Sequence, residues 1–378
     1  MPKIIKNILV ILYLVLMIIT GEAAGFYLNL LNKEITKPNV KDNHLELNTL
    51  KFYNSEKNMP ISPTAPNNIL ALIKALKAEE KLQNILFVGD LMFDRNVEAL
   101  MNKNGADYPF EKINKFLQEG GLIVANLEGP IVAQPKNFGE HALQFAFAKE
   151  TGSVLADNYI NLVSLGNNHV INMGQEGLKE TKEYLTASQI NYFGDPLKCS
   201  ADFAYSQDNL LFLGFNKTFS SGCPDQDILN GLKEARLKNP DKFIIVNMHW
   251  GKEYQLQNTK AQQTLAYELI DNGADLIIGH HPHVVGNIEL YKNKLIFYSL
   301  GNFIFDQYFS KNVQQGLAIG LEIDNHQQIY TINPIQSAKS QPSLMAAEDK
   351  AKFLTDLAGR SSKELNEQIL LGKIELQK

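Results

Sequence analysis

The residues able to do chemistry are not scattered along this chain of 378 residues but collect at the ends of apolar runs. Ile85–Val88 ends in Gly89-Asp90. Leu122–Ala125 ends in Asn126-Leu127-Glu128. Asn161–Leu165 ends in Gly166-Asn167-Asn168-His169. Phe243–Val246 ends in Asn247-Met248-His249-Trp250. Leu276–Ile278 ends in Gly279-His280-His281-Pro282-His283, and Leu295–Tyr298 in Ser299-Leu300-Gly301-Asn302. Five of the eight histidines fall in these bursts, too many for chance placement, so the bursts are expected to converge on one site. Carboxylates, amides and imidazoles offer oxygen and borderline nitrogen ligands, which suit Mn, Fe or Zn better than copper or a thiolate site. A carboxylate shared by two such ions can hold them about 3.5–4 Å apart around a reactive water.

Those residues need elements to position them. The apolar runs, several of them β-branched, read as strands buried on both faces. Helical stretches such as Glu176–Ser188 and Thr259–Asn272 lie between some of them, which indicates an α/β domain. Ile288–Tyr291, Leu317–Ile323 and Ile329–Ile332 lack intervening helices and read as antiparallel, so the sheets are expected to be mixed. In open α/β sheets ligands bind beyond the carboxyl ends of the strands, where the bursts lie. After Pro334 the chain turns polar and helical, with Ser361 or Ser362 as the cap of a last helix.

The N-terminus carries a different signal. Lys3 and Lys6 precede an apolar run from Ile8 to Thr20, the layout of an export signal. Gly21-Glu22-Ala23 offers a cleavage site. Alternatively, apolar character resuming through Leu31 makes an uncleaved anchor. Either way the lysines stay inside and the bulk of the chain is expected outside the cytoplasm, which opposes a soluble cytoplasmic phosphatase. Residues 32–83 read as a polar, proline-bearing spacer with a short helix from Asn67 or Asn68 towards Lys81. A formal net charge of -5 gives no basic footprint, so nucleic acid is not an expected partner. Cys199 and Cys223 are too few and too far apart for a metal finger; they form one disulfide or two separate thiols.

Six motifs then match a known family in order. Gly89-Asp90-Leu91-Met92 with Arg95, Asn126-Leu127-Glu128-Gly129-Pro130, and Asn167-Asn168-His169 with Gly174 are followed by His249-Trp250-Gly251 with Glu253-Tyr254. Gly279-His280-His281-Pro282-His283-Val284 and Ser299-Leu300-Gly301-Asn302-Phe303 with Asp306 complete the set. Together they resemble the bacterial capsule-synthesis family CapA, of poly-gamma-glutamate synthesis and the metallophosphoesterase-like superfamily. The resemblance implies a four-layer α/β/β/α sandwich over residues 84–335, preceded by the membrane helix or signal of residues 1–31 and followed by a helical tail, 336–378. It implies that Asp90 and His283 bind a first metal and that Glu128 bridges. Asn168, His249 and His281 would bind a second metal. His169 would protonate a leaving oxygen and Arg95 would hold an anionic group. Met92 departs from the superfamily, which has histidine there; Asn172 stands where aspartate is usual and Gly286 where glutamine is common.

The bland readings are a strand-end histidine that is merely hydrogen-bonded, an Asp90 that caps a helix, and a Trp250 that only packs. His280 reads as structural; Asp306 and Glu253 read equally as pocket wall or loop brace. Two functions follow. One is an extracytoplasmic metal-dependent hydrolase of phosphoester type. The other is a non-catalytic, membrane-tethered subunit that binds an acidic polymer such as poly-gamma-glutamate within a capsule synthesis complex.

Overall fold

A computed structural model describes residues 83–139, 142–218, 222–323 and 327–377. The expected membrane helix, the spacer up to residue 82 and His44, His141 and His326 lie outside the described residues. No helix among the described residues is long and apolar enough to cross a membrane.

The chain opens with β1 (Gln83–Leu91), α1 (Arg95–Asn104), α2 (Asn114–Gln118), β2 (Leu122–Leu127) and a small parallel pair, β3 (Ile131–Val132) and β4 (Phe147–Ala148). Next come α3 (Thr151–Asp157), β5 (Leu162–Ser164), α4 (Gly174–Ala187), β6 (Asn191–Phe193), β7 (Tyr205–Gln207) and β8 (Leu210–Lys217). They are followed by α5 (Asp225–Lys238), β9 (Phe243–Trp250), α6 (Lys260–Asp271), β10 (Leu276–His280), β11 (Ile288–Tyr291) and β12 (Lys294–Phe297). The last elements are β13 (Asn302–Ile304), β14 (Gln315–Ile323), β15 (Gln327–Ala338), β16 (Gln341–Leu344), α7 (Ala347–Arg360), α8 (Asn366–Leu370) and β17 (Lys373–Gln377).

Two mixed sheets result. The larger runs β16-β15-β14-β1-β2-β5-β6, with β13 beside the end of β1 and β17 beside β15. It is parallel from β1 to β6 and antiparallel from β1 through β15. The smaller runs β11-β12-β10-β9-β8-β7, parallel inside and antiparallel at both edges. The period-two alternation of a strand sorts β1 between two cores. Ile85 and Phe87 face a cluster that also holds Phe212, Ile245 and Ile278 of the smaller sheet. Leu86 and Val88 face a cluster with Val97 of α1, Leu117 of α2 and Leu178 of α4. The smaller sheet repeats the pattern: Ile244 and Val246 pack with Ile228 of α5 and Leu269 of α6. Helices therefore cover the outer faces of two sheets that face one another, which is why strands such as β9 are buried throughout.

The segment after residue 335 joins this architecture. Phe353, Leu354 and Leu357 of α7 and Ile369 of α8 enter the cluster between the sheets, and β17 pairs with β15. Ser361 and Ser362 use their hydroxyls differently from the expected helix cap. They accept the backbone N–H groups of Ile288 and Leu290, at 2.9 and 3.1 Å, and so tie the end of α7 to β11. Cys199 and Cys223 form a disulfide.

Candidate metal centre

The end of β1 shows how the backbone builds the site. β14 pairs with β1 as far as Phe87; from Asp90 its place is taken by β13, in parallel, opposite Asn302. The exchange brings the chain at Gly301 so close that a Cβ on Gly89 would lie 2.0 Å from the Gly301 carbonyl oxygen. Only glycine fits there. Gly279 plays the same part in β10, where a Cβ would meet the Tyr298 carbonyl at 2.0 Å. Helix α1 is capped by Asp94, whose carboxylate accepts the Arg95 N–H at 2.6 Å, so Asp90 is not a helix cap.

Asp90, at the end of β1, and Glu128, just beyond β2, are fully buried, and His283 follows β10. One ligand atom from each lies within 4.8 Å of the others. His283 Nε2 is 3.7 Å from Glu128 Oε1, and His283 Nδ1 is 3.6 Å from Asp90 Oδ2. The tautomer of His283 is set by Asn302. That amide donates through Nδ2 to Val313 and Gln307, so its Oδ1, 3.0 Å from His283 Nδ1, accepts. Nε2 keeps its lone pair and faces the carboxylates, as in a metal-binding histidine. His249 and His281 sit alongside, with ring centroids 4.9 Å apart, and His281 is 6.0 Å from His283. The structure thus brings Asp90, Glu128 and His283 into one compact group and sets His249, His281, Asn168 and His169 around it.

The electrostatics of the group favour a cation. Burial and then the Asp90 carboxylate push the Glu128 carboxyl well above the usual range. Burial opposes ionisation of Asp90, but its hydrogen bonds with His280 and Asn126 and the nearby imidazoles of His280 and His283 outweigh this and hold it below its ordinary value. Two carboxyls cannot both ionise here without a cation. Burial, helped by His281, drives His249 well below the normal imidazole range; burial, helped by His283, takes His281 to about 3. Imidazoles held neutral are ready ligands. Glu128 Oε1, Asn168 Oδ1 and His249 Nε2 are buried with no hydrogen-bond partner, a costly state that coordination would relieve. The residues present therefore fit a divalent cation.

Comparison with known proteins identifies the family. The family profile described as bacterial capsule synthesis protein PGA_cap matches residues 84–307. A capsule biosynthesis protein CapA of Bacillus anthracis is 30% identical over 312 residues, covering 76% of this chain and 75% of that protein. This chain belongs to the bacterial capsule synthesis protein family. Within the family, a PGA biosynthesis protein CapA of Bacillus subtilis is 29% identical, covering 68% of this chain and 72% of its own length. A probable polyglutamine synthesis accessory protein of Mycobacterium tuberculosis is 27% identical, covering 49% and 56%.

His169 stands at the edge of the carboxylate–imidazole group, its Nε2 3.7 Å from Glu128 Oε1 and its ring 4.6 Å from that of Phe145. Asn172 Oδ1 accepts the Phe145 N–H at 2.9 Å, which identifies it as the oxygen; lying 3.1 Å from His169 Nδ1, it also receives that proton. Neutral His169 therefore presents an Nε2 lone pair, and burial lowers its pKa to about 4. Arg95 lies outside the carboxylate–imidazole group. Its guanidinium pairs with Asp306, donates to the Ala142 carbonyl at 3.0 Å and packs 4.9 Å over Phe145, so its charge is already matched. Met92 points its sulfur at the Asp94 N–H, 3.0 Å away, and supplies no nitrogen to the centre. Trp250 is buried against Tyr298, to whose carbonyl it donates, and is packing.

Side-chain amides brace these groups. Asn126 donates to Asp90 at 2.9 Å and faces Glu128 and His249 at 3.4 and 3.3 Å. Asn167 in turn donates to Asn126 and to the Leu127 carbonyl, and its oxygen accepts the His169 and Val170 N–H groups. His280, read as structural, contacts Asp90 at 3.0 Å and Asn247 at 3.3 Å. The only signal for these roles was membership of the polar bursts.

Proposed function

We propose that this chain is an extracytoplasmic, metal-dependent hydrolase of phosphoester type acting in capsule-polymer biosynthesis. The observation that carries the reading is the buried group of Asp90, Glu128 and His283, flanked by the unpartnered Asn168 Oδ1 and His249 Nε2. Asp90, Glu128 and His283 would hold one ion, Mn, Fe or Zn by ligand type, with Glu128 shared and Asn168, His249 and His281 holding a second. A bound cation would supply an acidified water and offset charge on a phosphoryl oxygen. This chain's own residues do the rest. His169 would carry the proton for the leaving oxygen on Nε2, since its Nδ1 proton is committed to Asn172. Asn126, Asn167 and His280 fix the carboxylates and the His169 loop.

The setting follows from the relatives, whose names refer to capsule, PGA and polyglutamine synthesis. An acidic polymer such as poly-gamma-glutamate and membrane subunits of a synthesis complex are the proposed partners. The Cys199–Cys223 disulfide supports placement outside the cytoplasm, where such bonds persist. A reporter fused after Lys378 is expected to be active only outside the cytoplasm, and cytoplasmic activity would sink that placement.

A second reading, a polymer-binding subunit without turnover, is favoured by Met92 in the usual histidine position and by an imidazole at His169 that is neutral at neutral pH. The deciding experiment dialyses the full-length protein against Mn, Fe and Zn, then measures metal content and hydrolysis of bis(p-nitrophenyl) phosphate. Bound metal with hydrolysis supports the enzyme. Bound metal without hydrolysis leaves the binding subunit, and a metal-free protein overturns both metal-based readings.

A further inference from the structure

Beside the buried centre an open cleft of about 420 Å³ is lined by Arg95, Tyr254, Asp306, Gln307, Tyr308 and Phe309, with Asn96 and Leu143 at its margin. Four of the nine exposed large hydrophobic side chains among the described residues border it: Leu143, Tyr254, Tyr308 and Phe309. Leu143 is 80% exposed and Phe309 67%. Such side chains are normally scattered singly, and their concentration at one cleft marks a contact surface. Tyr254 joins the cleft to the centre. Its ring lies 6.3 Å from that of His283, and its N–H donates to the Pro282 carbonyl at 2.8 Å. It is held there at a φ of +64°, a conformation that a bulky side chain adopts only under constraint.

The charge of the cleft is already balanced. Its only cation among the described lining residues, Arg95, is paired with Asp306, which also accepts the Asn96 N–H at 3.2 Å. What remains for a ligand is aromatic surface edged by neutral groups. The Gln307 amide donates to the Tyr254 hydroxyl at 3.3 Å, and the Asn96 amide to the Tyr308 hydroxyl at 3.2 Å. Phe309 stands edge-on to Tyr254, with centroids 5.2 Å apart. Aromatic faces with amide and hydroxyl edges suit a ring that is apolar on its face and hydroxylated at its rim. They offer a free carboxylate no unpaired positive charge.

We propose that this cleft binds an uncharged, hydroxylated ring of glycosyl type, joined to the group that occupies the buried centre. The identity of that group as a phosphoester rests on the proposed hydrolase reading; the preference of the cleft does not require turnover. The test uses the full-length, metal-loaded protein and non-hydrolysable phosphonate analogues of three phosphate esters, each with CH2 in place of the bridging ester oxygen and called here by the ester it replaces: methyl, glucopyranos-6-yl (glucosyl) or 2-carboxyethyl (carboxylate-bearing). Calorimetry is expected to show the glucosyl ester binding roughly 3- to 10-fold tighter than the methyl ester, the order of one aromatic stacking contact. The carboxylate-bearing ester is expected to bind no tighter than the methyl ester. Phe309→Ala combined with Tyr308→Ala should bring the glucosyl-to-methyl ratio close to one. Tighter binding of the carboxylate-bearing ester, a ratio near one in the unaltered protein, a ratio that survives the double substitution, or no binding of any ester would each overturn the inference. Failure to hydrolyse bis(p-nitrophenyl) phosphate with the glucosyl preference intact would instead remove the hydrolase reading and leave the cleft assignment standing.

Discussion

The two sheets contribute different chemistry to one centre. The nine-stranded sheet delivers Asp90 and Glu128 from adjacent parallel strands, with the amides Asn126, Asn167 and Asn168 around them. The six-stranded sheet delivers His249 at the end of β9 and the histidine run at the end of β10, with His249 and His280 directly opposite in register. The oxygen side is cross-linked: Asn126 ties Asp90 towards Glu128, and Asn167 ties Asn126 to the His169 loop. The nitrogen side is held in two ways: His249 lies within β9 with Asn126 beside it, while His281 and His283 sit on a loop at φ of +94° and +57°, His283 with Asn302 behind its ring. Oxygen donors are thus fixed by a dense side-chain network, and the loop nitrogen donors by backbone conformation with single side-chain braces.

Removing the oxygen side is expected to have the largest effect. Glu128→Ala takes away one carboxylate of the buried Asp90–Glu128–His283 group, and Asp90→Ala also strands His280 and Asn126. Both should lose metal and phosphodiester hydrolysis together, read by metal analysis and steady-state rates. His249→Ala or His281→Ala should lower occupancy but keep the Asp90–Glu128–His283 group. If the histidine variants lose metal as completely as Glu128→Ala, the two sides are equivalent and the comparison breaks. Next in size is His169→Ala. General acid catalysis is typically worth about 10²–10⁴-fold, so the rate should fall by that order with metal content unchanged, most strongly for poor leaving groups. Asn302→Leu tests the brace behind His283. Loss of such an outer partner typically costs about 10–100-fold in metal affinity, measured by competition with a chelator.

How much of this was legible depended on whether neighbours in space were neighbours in sequence. The strands and the donors at their ends were readable because apolar runs and polar bursts are local patterns. The expected strands at Ile85–Val88, Leu122–Ala125 and Phe243–Val246 are all present. The braces were not readable, because an asparagine that orients a ligand looks like one that closes a turn. Asn302 acts on His283 from 19 residues away and Asn126 on His249 from 123. The pairing of Arg95 with Asp306 spans 211 residues, and no local pattern announces that the guanidinium is already matched. The segment after residue 335 carries no motif, yet its apolar stripe fills the space between the sheets. Only the shape of the gap there explains why Phe353 and Leu357 recur as they do.

The smallest expected effect lies at the edge of the centre, where His169 stands 3.7 Å from Glu128. Burial holds His169 at about 4 and His281 at about 3, both below the ordinary imidazole value of 6.5. Between those values the unfolded chain binds protons that the folded protein refuses. Stability of the metal-free protein should therefore be full above about pH 6.5 and fall as the pH drops towards 4, seen as a lower Tm at pH 5 than at pH 7.5. Asn172→Asp places a carboxylate against His169 Nδ1, where a neutral amide now accepts. An adjacent negative charge favours the imidazolium, so the His169 pKa should rise. Two consequences go together: a shallower loss of Tm on acidification, and a hydrolysis profile whose dependence on protonated His169 extends to higher pH. The pKa of His169 can be followed directly by NMR titration of its ring protons in the metal-free protein. An Asn172→Asp variant whose His169 titrates where it did before would show that burial alone, and not the partner at Nδ1, sets the proton affinity of this group.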